Sequence, residues 1–173
     1  MIPIRAARFP QDSMALKAVI REYVSWLEMD LSYRYFDKEM ADFDQLFTLP
    51  SGIFFMAQAG AEIAGCAGLL RHSDAVAEVK RLYVRPGFRG RALGEQLMWS
   101  VIDQARALGL RELILDAVAQ TRVAQLLYQK MGFRETGPYY LNPVAGTRFF
   151  SMALLPLAPG EAAYGLEARL NRT

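Results

Sequence analysis

Hydrophobic positions along the chain follow two spacings, one typical of helices and the other of strands. From Ser13 to about Leu27, and again from about Arg91 to Leu108, apolar residues recur every three or four positions. The runs Ile53–Gln58 and Glu62–Leu70 are strand-like and are joined by a short Ala-Gly-Ala turn. We therefore predict two amphipathic helices and one β-hairpin in these four segments.

The shorter segments complete an alternating order of strands and helices. Further strands are predicted at 2–8, 78–84, 113–117, 133–136 and 148–154, and further helices at 37–47 and 121–131. The chain shows no internal repeat and no linker-like stretch, so residues 1–173 are predicted to form a single domain. This order predicts a mixed α/β fold of α+β-like character, with helices flanking a central sheet.

The charge pattern narrows the class of ligand. The formal net charge is only +2, which argues against a polycation that binds nucleic acid. No acidic residue lies between Glu78 and Glu95, however, and the basic residues of this region are Lys80, Arg81, Arg85, Arg89 and Arg91. So short a patch, without an adjoining aromatic platform, predicts a local anion site and no nucleic-acid partner.

The single cysteine and single histidine restrict the chemistry further. Cys66 lies in an apolar strand-like run, where a free cysteine usually behaves as a small buried hydrophobe. Neither a disulfide framework nor a metal centre is expected from this composition. The N-terminal stretch lacks the apolar segment of a signal peptide, and no apolar run approaches membrane-spanning length. We therefore expect a cytoplasmic protein without a membrane partner.

The segment from Arg85 to Gly94 is a basic, glycine-containing turn between a predicted strand and a predicted helix. Gly90 and Gly94 allow backbone to approach a ligand without an intervening Cβ. The first N–H groups of the following helix have no intrahelical acceptor, so a pyrophosphate can satisfy them. The turn has neither the Gly-Lys-Ser/Thr of a P-loop nor a Rossmann glycine pattern. An exposed basic loop without a ligand is the alternative interpretation.

Two motifs together resemble the GNAT superfamily of N-acetyltransferases. Residues 89–94, Arg-Gly-Arg-Ala-Leu-Gly, resemble its pyrophosphate-binding motif, and residues 127–133, Leu-Tyr-Gln-Lys-Met-Gly-Phe, resemble its second motif. The segments 31–40 and 138–154 are similar to a small-molecule branch of the family. Ala92 departs from the motif, which has glycine there, and a methyl group costs little only if its φ is negative.

The resemblance implies a mostly antiparallel sheet in which two parallel strands splay apart to hold acetyl-CoA, the co-substrate. The cofactor core would span about 78–136, with acceptor-side elements at about 12–50 and 137–150 and a tail at 156–173. Backbone of β-strand residues Leu82, Tyr83 and Val84 would pair with pantetheine. The pyrophosphate would be bound by Arg89, Gly90, Arg91, Ala92, Leu93, Gly94 and Glu95.

The implied reaction is direct transfer of an acetyl group from the thioester to a primary amine. Tyr128 matches the tyrosine that protonates or hydrogen-bonds the departing sulfur in this family. Glu78 is the candidate general base, on the same side of its strand as Lys80 and Leu82 if alternation is regular. An ion pair with Lys80 or Arg81 is an equally good explanation of Glu78. Asp116 has a site-like position at a strand end.

The acceptor pocket is expected between two loops rich in aromatic residues. Its candidate residues are Tyr33, Tyr35, Phe36, Tyr139, Tyr140 and Asn142. Such a set suits a small amine through apolar and cation–π contacts, although a cluster of this kind also fits a core or an interface. His72, in a predicted turn, is expected to be exposed. A catalytically idle acyl-CoA-binding module is the alternative to the enzyme, and packing of the tail on a second copy would give a homodimer.

Overall fold

The computed structural model describes residues 1–32 and 35–155 of the 173-residue chain. Seven strands run through it: β1 Ile4–Ala6, β2 Gly52–Ala59, β3 Glu62–Arg71, β4 Val76–Val84, β5 Glu112–Ala117, β6 Arg134–Thr136 and β7 Arg148–Ala153. Five helices accompany them: α1 Ser13–Leu27, α2 Phe36–Ala41, α3 Phe43–Leu46, α4 Leu93–Ala107 and α5 Arg122–Lys130. Short 3-10 turns at Pro86–Phe88 and Ala119–Thr121 precede α4 and α5.

All seven strands form one sheet in the order β1-β2-β3-β4-β5-β7-β6. Every pair is antiparallel except β4 and β5, which pair in parallel from Val76–Glu78 to Glu112–Ile114. Beyond this point β4 continues to Val84 and β5 to Ala117 without pairing to each other. The prediction of a single mixed α/β domain, with a mostly antiparallel sheet and one parallel pair, is confirmed.

A bulge in β4 sits where the two parallel strands separate. Arg81 has a φ of 58°, and the register between β3 and β4 shifts between Cys66 and Gly68. A residue in the left-handed conformation interrupts the alternation of side chains, as bulges do. Leu82 therefore packs with Val79 on the α4 side of the sheet, so the prediction that it shares a side with Glu78 and Lys80 is wrong.

Helices cover both faces of the sheet, and each face has its own apolar core. On one face, α4 packs through residues such as Leu97 and Ile102 against Leu113 and Phe150. On the other, α1 and α3 pack through Leu16 and Phe43 against β2 and β3, where Cys66 is buried as predicted. Among the described helices none has the length and apolar character needed to cross a bilayer.

Two predicted helices differ locally from the structure. The helix predicted over 37–47 is divided at Asp42 into α2 and α3. The helix predicted from about Arg91 begins at Leu93, because Ala92 adopts φ 55° and ψ 17°, a left-handed conformation, at the N-cap. Glycine usually occupies such a position, since a Cβ there costs roughly 1–2 kcal/mol. The methyl group of Ala92 is therefore accepted with backbone strain.

Candidate active site

A narrow cavity of about 60 Å³ lies between the unpaired ends of β4 and β5. Residues of both strands line it, and α1, the segment after it, and α5 close it. Its lining comprises Tyr23, Leu27, Leu31, Val79, Lys80, Arg81, Leu82, Asp116, Ala117, Val118, Thr121 and Tyr128. The apolar side chains of this lining suit a narrow, extended ligand. The polar side chains bring charges and hydroxyl groups to the same opening.

Tyr128 reaches this cavity from α5. Helical spacing turns Tyr128 and Gln125 inward, and the tyrosine ring packs against Phe133 and Phe150 with only 6% of its surface exposed. Burial raises the pKa of the Tyr128 phenol far above its usual range, and Tyr23 and Asp116 raise it further. The hydroxyl consequently stays protonated at any working pH and acts as a hydrogen-bond donor.

Backbone N–H groups collect at the beginning of α4. Gly90 with φ 77° and Ala92 with φ 55° turn the chain into the helix. The N–H of Gln96 bonds to the carbonyl of Ala92 at 3.0 Å and closes the first helical turn. The preceding N–H groups of Leu93, Gly94 and Glu95 therefore have no intrahelical acceptor. With the helix dipole, this geometry suits a pyrophosphate.

The arginines of the basic turn lie around this helix end. Arg89 donates from Nε to the carbonyl of Val84 at 3.0 Å, and its guanidinium lies 5.2 Å from the ring centroid of Trp26. Arg91 is exposed and lies over the ring of Phe88. Both guanidinium groups are thus at the surface beside the N–H groups, where they can reach a phosphate.

Two other charged residues of this region form ion pairs that link elements of the fold. Arg85 donates to both carboxylate oxygens of Glu22, with its shortest contact at 2.7 Å. Glu95 accepts from Lys130 at 2.9 Å, and this hydrogen bond lowers the pKa of Glu95 below its ordinary value. The side chain of Glu95 therefore links α4 to α5, and only its backbone N–H faces the candidate pyrophosphate position.

The edge of β4 provides the candidate pantetheine contacts. Leu82 lines the cavity, whereas the hydroxyl of Tyr83 donates to Glu22 at 3.0 Å on the other face of the sheet. The segment from Leu82 to Val84 lies beyond the parallel pairing with β5. Peptide groups on such an edge can pair with an extended ligand in the way that an added strand would.

Glu78 lies at the apex of the opening and is almost fully buried, with 2% of its surface exposed. Its Oε2 is 2.8 Å from His72 Nε2, and its Oε1 accepts from the Tyr139 hydroxyl at 3.2 Å. Lys80 Nζ is 4.0 Å from Oε1. Of the two ion pairs considered for Glu78, the structure shows a long contact with Lys80, while the guanidinium of Arg81 binds Glu39. His72 is a partner that the sequence pattern did not indicate.

The loop between β6 and β7 brings three predicted acceptor residues to this face of the sheet. Tyr139 bonds to Glu78, and Tyr140 donates its hydroxyl to Asp116. Asn142 donates to the Tyr140 hydroxyl at 2.6 Å and accepts from the N–H of Val144 at 2.8 Å. The loop is therefore pinned to both diverging strands by side-chain hydrogen bonds.

The other predicted acceptor residues lie before and at the start of α2, and the structure separates them. Phe36 lies under the guanidinium of Arg81 at 5.3 Å, whereas Tyr35 is 74% exposed and Tyr33 lies outside the described residues. Beside Phe36, α2 contributes Glu39, which no sequence motif had indicated.

Glu39 is a buried carboxylate at the centre of a three-residue charge cluster. Arg81 donates to its two oxygens at 3.0 and 2.9 Å, and Lys80 Nζ lies at 3.4 Å. Burial raises the pKa of Glu39, but the charges of Arg81 and Lys80 outweigh this effect and hold the pKa below its ordinary value. In the sequence, Glu39 is an acidic residue within the helix predicted at 37–47.

Within residues 1–32 and 35–155, no group of three or more His, Cys, Asp or Glu residues is arranged to hold a metal ion.

The family assignment follows from comparison with known sequences. Residues 20–133 match the family model described as the acetyltransferase (GNAT) family. An uncharacterized N-acetyltransferase from Schizosaccharomyces pombe is 33% identical over 155 residues, covering 88% of this chain and 95% of that protein. The chain belongs to the GNAT acetyltransferase family. The resemblance seen in the two motifs is thereby confirmed, and the protein is an acetyl-CoA-dependent N-acyltransferase.

Solved structures agree with this GNAT fold. A GNAT-family acetyltransferase from Staphylococcus aureus Mu50 superposes with a TM-score of 0.76 at 21% identity, over 90% of this chain and 100% of that one. The PaiA N-acetyltransferase of Thermoplasma acidophilum, solved in complex with coenzyme A, gives a TM-score of 0.70 at 20% identity, over 88% and 99%. At these identities the likeness establishes the fold alone.

Proposed function

We propose that this GNAT protein transfers the acetyl group of acetyl-CoA directly to a primary amine of a small molecule or a peptide. One observation carries the proposal: the Tyr128 phenol and the unpaired edge of β4 line the same narrow cavity, which opens between β4 and β5. A pantetheine arm paired to that edge would place its thioester beside a buried hydroxyl donor.

The cofactor would extend from this cavity to the beginning of α4. Leu82, Tyr83 and Val84 would pair with the pantetheine amides through their backbone. The N–H groups around residues 89–95 would bind the pyrophosphate, with charge-assisted bonds from Arg89 and Arg91. The exposed positions of both guanidinium groups support this role. Their second target would be the 3′-phosphate of CoA.

The reaction needs a base, an oxyanion donor and a thiol donor. An alkylammonium cannot attack, so Glu78 would take its proton. The Glu78 carboxylate lies outside the cavity lining, next to Lys80, which lines it. A water is therefore expected to carry the proton from the acceptor ammonium to Glu78. A backbone N–H near Val84 would polarise the acetyl carbonyl, and Tyr128 would donate to the departing sulfur.

The acceptor would bind on the face of the sheet that carries Glu78 and Asp116. Leu27 and Leu31 offer apolar contact from one side, and the loop carrying Tyr139 and Tyr140 closes the other. Carboxylates and aromatic rings in one pocket favour a cationic amine with a small apolar body. Tyr35 is exposed and is not part of this cluster, and Tyr33 lies outside the described residues.

A thiol-release assay with acetyl-CoA tests the proposal. The panel consists of spermidine, tyramine, aspartate and a peptide with a free N-terminal alanine, which differ in charge and apolar surface. Stoichiometric release of CoA thiol with one class, and an acetylated amine in its mass spectrum, would support the proposal. Tight acetyl-CoA binding in calorimetry without turnover on a widened amine panel would instead support an idle acyl-CoA-binding module.

A further inference from the structure

The half-exposed imidazole of His72 touches the buried carboxylate of Glu78. His72 Nε2 lies 2.8 Å from Glu78 Oε2, and the two side chains are 45% and 3% exposed. His72 is the only histidine of the chain. Neither motif that indicated the family includes this residue. Its contact with Glu78 joins the buried carboxylate to a side chain that solvent reaches.

The β3–β4 turn fixes the backbone that carries this imidazole. The N–H groups of His72 and Ser73 both bond to the carbonyl of Val76, at 2.9 and 3.1 Å. The hydroxyl of Ser73 accepts from the N–H of Ala75 and from that of Val76. These short-range bonds fix the backbone of the turn, and from this backbone the imidazole reaches Glu78 while part of the ring stays open to solvent.

We propose that His72 is the proton-relay residue of this site, passing the proton that Glu78 takes from the acceptor amine on to solvent. The inference rests on the proposed function, because it assumes Glu78 as the base. A carboxylic acid formed at a 3% exposed position has little direct contact with bulk water, so a hydrogen-bonded partner that solvent reaches gives its proton a way out. Imidazole is the side chain that both accepts and donates a proton near neutral pH.

The proton transfers balance in three steps. An N–H bond of the ammonium breaks and an O–H bond forms on Glu78, either directly or through a water. That O–H bond then breaks as the proton moves to Nε2 of His72, which enters this step unprotonated at that nitrogen. The imidazolium then loses its Nδ1 proton to water. The proton left on Nε2 exchanges with water when the half-exposed ring turns away from Glu78, which restores the tautomer with an unprotonated Nε2. The net change is one proton released to solvent, and Glu78 and His72 return to their starting charge.

Other titratable groups around the pair set its electrostatics. Tyr139 and Lys80 face Glu78 from the β6–β7 loop and from β4, and Glu39 of α2 lies behind Lys80. In the turn itself, Arg71 pairs with Asp74 at 2.9 Å. Arg71 and Asp74 therefore balance each other's charge beside the His72–Glu78 contact.

The test compares His72→Gln and His72→Ala with the wild-type protein. Glutamine keeps a hydrogen-bond donor for Glu78 but cannot carry a proton, so turnover should fall about 10-fold or more in both variants, since proton transfer by a positioned group contributes at least this much. The KM for acetyl-CoA should stay within about twofold, because general acid–base groups act on the reacting amine. Added imidazole should restore His72→Ala in proportion to its concentration, and it should not restore Glu78→Gln.

Arg71→Gln serves as the matched control, because it disturbs the same turn without touching Glu78. Its turnover should remain at the wild-type level, and reactions without enzyme correct for direct acetylation of imidazole. Wild-type turnover in His72→Gln, or no rescue of His72→Ala, would overturn the relay while leaving the proposed function intact. Acetyl-CoA binding without acetylation of any amine by the wild-type protein would overturn both.

Discussion

The hydroxyl of Tyr128 combines deep burial with a position at the opening between two strands. Burial raises the pKa of this phenol, and the neighbouring Tyr23 and Asp116 add to the effect. A neutral phenol cannot act as a base, but it can donate to a thiolate as negative charge develops on sulfur. The residue is therefore best suited to stabilise the leaving group rather than to activate the amine.

Tyr128→Phe should separate that role from packing. The ring contacts with Phe133 and Phe150 remain in the variant, whereas the donor is lost. We expect thiol release to fall by about 100-fold, with the Kd for acetyl-CoA, measured by calorimetry, changed by less than about threefold because ground-state binding is largely retained. The thermal midpoint of unfolding serves as the control. Equal losses in turnover and affinity would instead assign Tyr128 to packing.

Two substitutions at Gly94 test fold stability and ligand binding separately. A Cβ at this position would lie 3.5 Å from Leu127 Cδ2 and 3.8 Å from Val84 Cγ2, which are ordinary contacts. Gly94→Ala should therefore stabilise α4 by roughly 0.5–1 kcal/mol in urea unfolding. Gly94→Glu should fold but lose acetyl-CoA binding in calorimetry, through steric and like-charge conflict with phosphate. Unchanged affinity in Gly94→Glu would remove this turn from the cofactor site.

Among the elements, α1 and the basic turn are joined by an aromatic contact. Trp26 stacks near Tyr23 at the end of α1, and the guanidinium of Arg89 lies over its ring. If Arg89 turns to a phosphate, this cation–π contact has to change. The indole of Trp26 should then report cofactor binding.

A fluorescence titration with CoA checks this expectation. The protein has two tryptophans, Trp26 and Trp99. Saturable change in emission is expected in the wild-type protein and in Trp99→Phe, and it should disappear in Trp26→Phe while calorimetry still shows binding. A titration signal that survives in Trp26→Phe and vanishes in Trp99→Phe would show that Arg89 does not leave the indole.

Elements with a strong periodic pattern could be predicted from the sequence, and irregular ones could not. The β2–β3 hairpin and α4 follow directly from alternation and from helical spacing. The bulge at Arg81 leaves no sequence mark, because a non-glycine residue in a left-handed conformation is selected by its tertiary contacts. As a result, regular alternation put Leu82 on the wrong side of the sheet. The short break at Asp42 was missed for a similar reason.

At the scale of the whole molecule, the site is assembled from segments far apart in sequence. The candidate cofactor elements could be recognised, since the basic turn and the α5 motif are contiguous stretches. The acceptor face was less so: Glu39 meets Arg81 across 42 positions, and Tyr139 meets Glu78 across 61. Pairings of that kind depend on sheet order and on helix packing, which periodicity alone does not specify. His72 was missed as a partner because a turn position says nothing about where its side chain lies.

The buried Glu39 cluster ties α2 to the bulged strand and should shape the acid stability of the whole domain. Burial raises the pKa of Glu39 in the folded protein, but the charges of Arg81 and Lys80 lower it by more, so it lies below its ordinary value. A carboxyl with a depressed folded pKa contributes stability that is fully present above its unfolded pKa, about 4.3. That contribution is lost as the pH falls through the folded value.

Glu39→Gln should therefore change both the level and the pH dependence of stability. The substitution removes the buried carboxylate that Arg81 and Lys80 share, so the free energy of unfolding at pH 7 should fall by about 3–5 kcal/mol. The difference between variant and wild type should shrink as the pH is lowered below about 4.3, because the unfolded wild-type chain then binds a proton at Glu39 that the folded protein binds only at lower pH. Urea unfolding at several pH values measures both effects.

Glu62→Gln, at an exposed position of β3, is the matched control and should change stability by less than about 0.5 kcal/mol. A constant difference between Glu39→Gln and wild type down to pH 3 would show that the charge of Glu39 does not stabilise the fold.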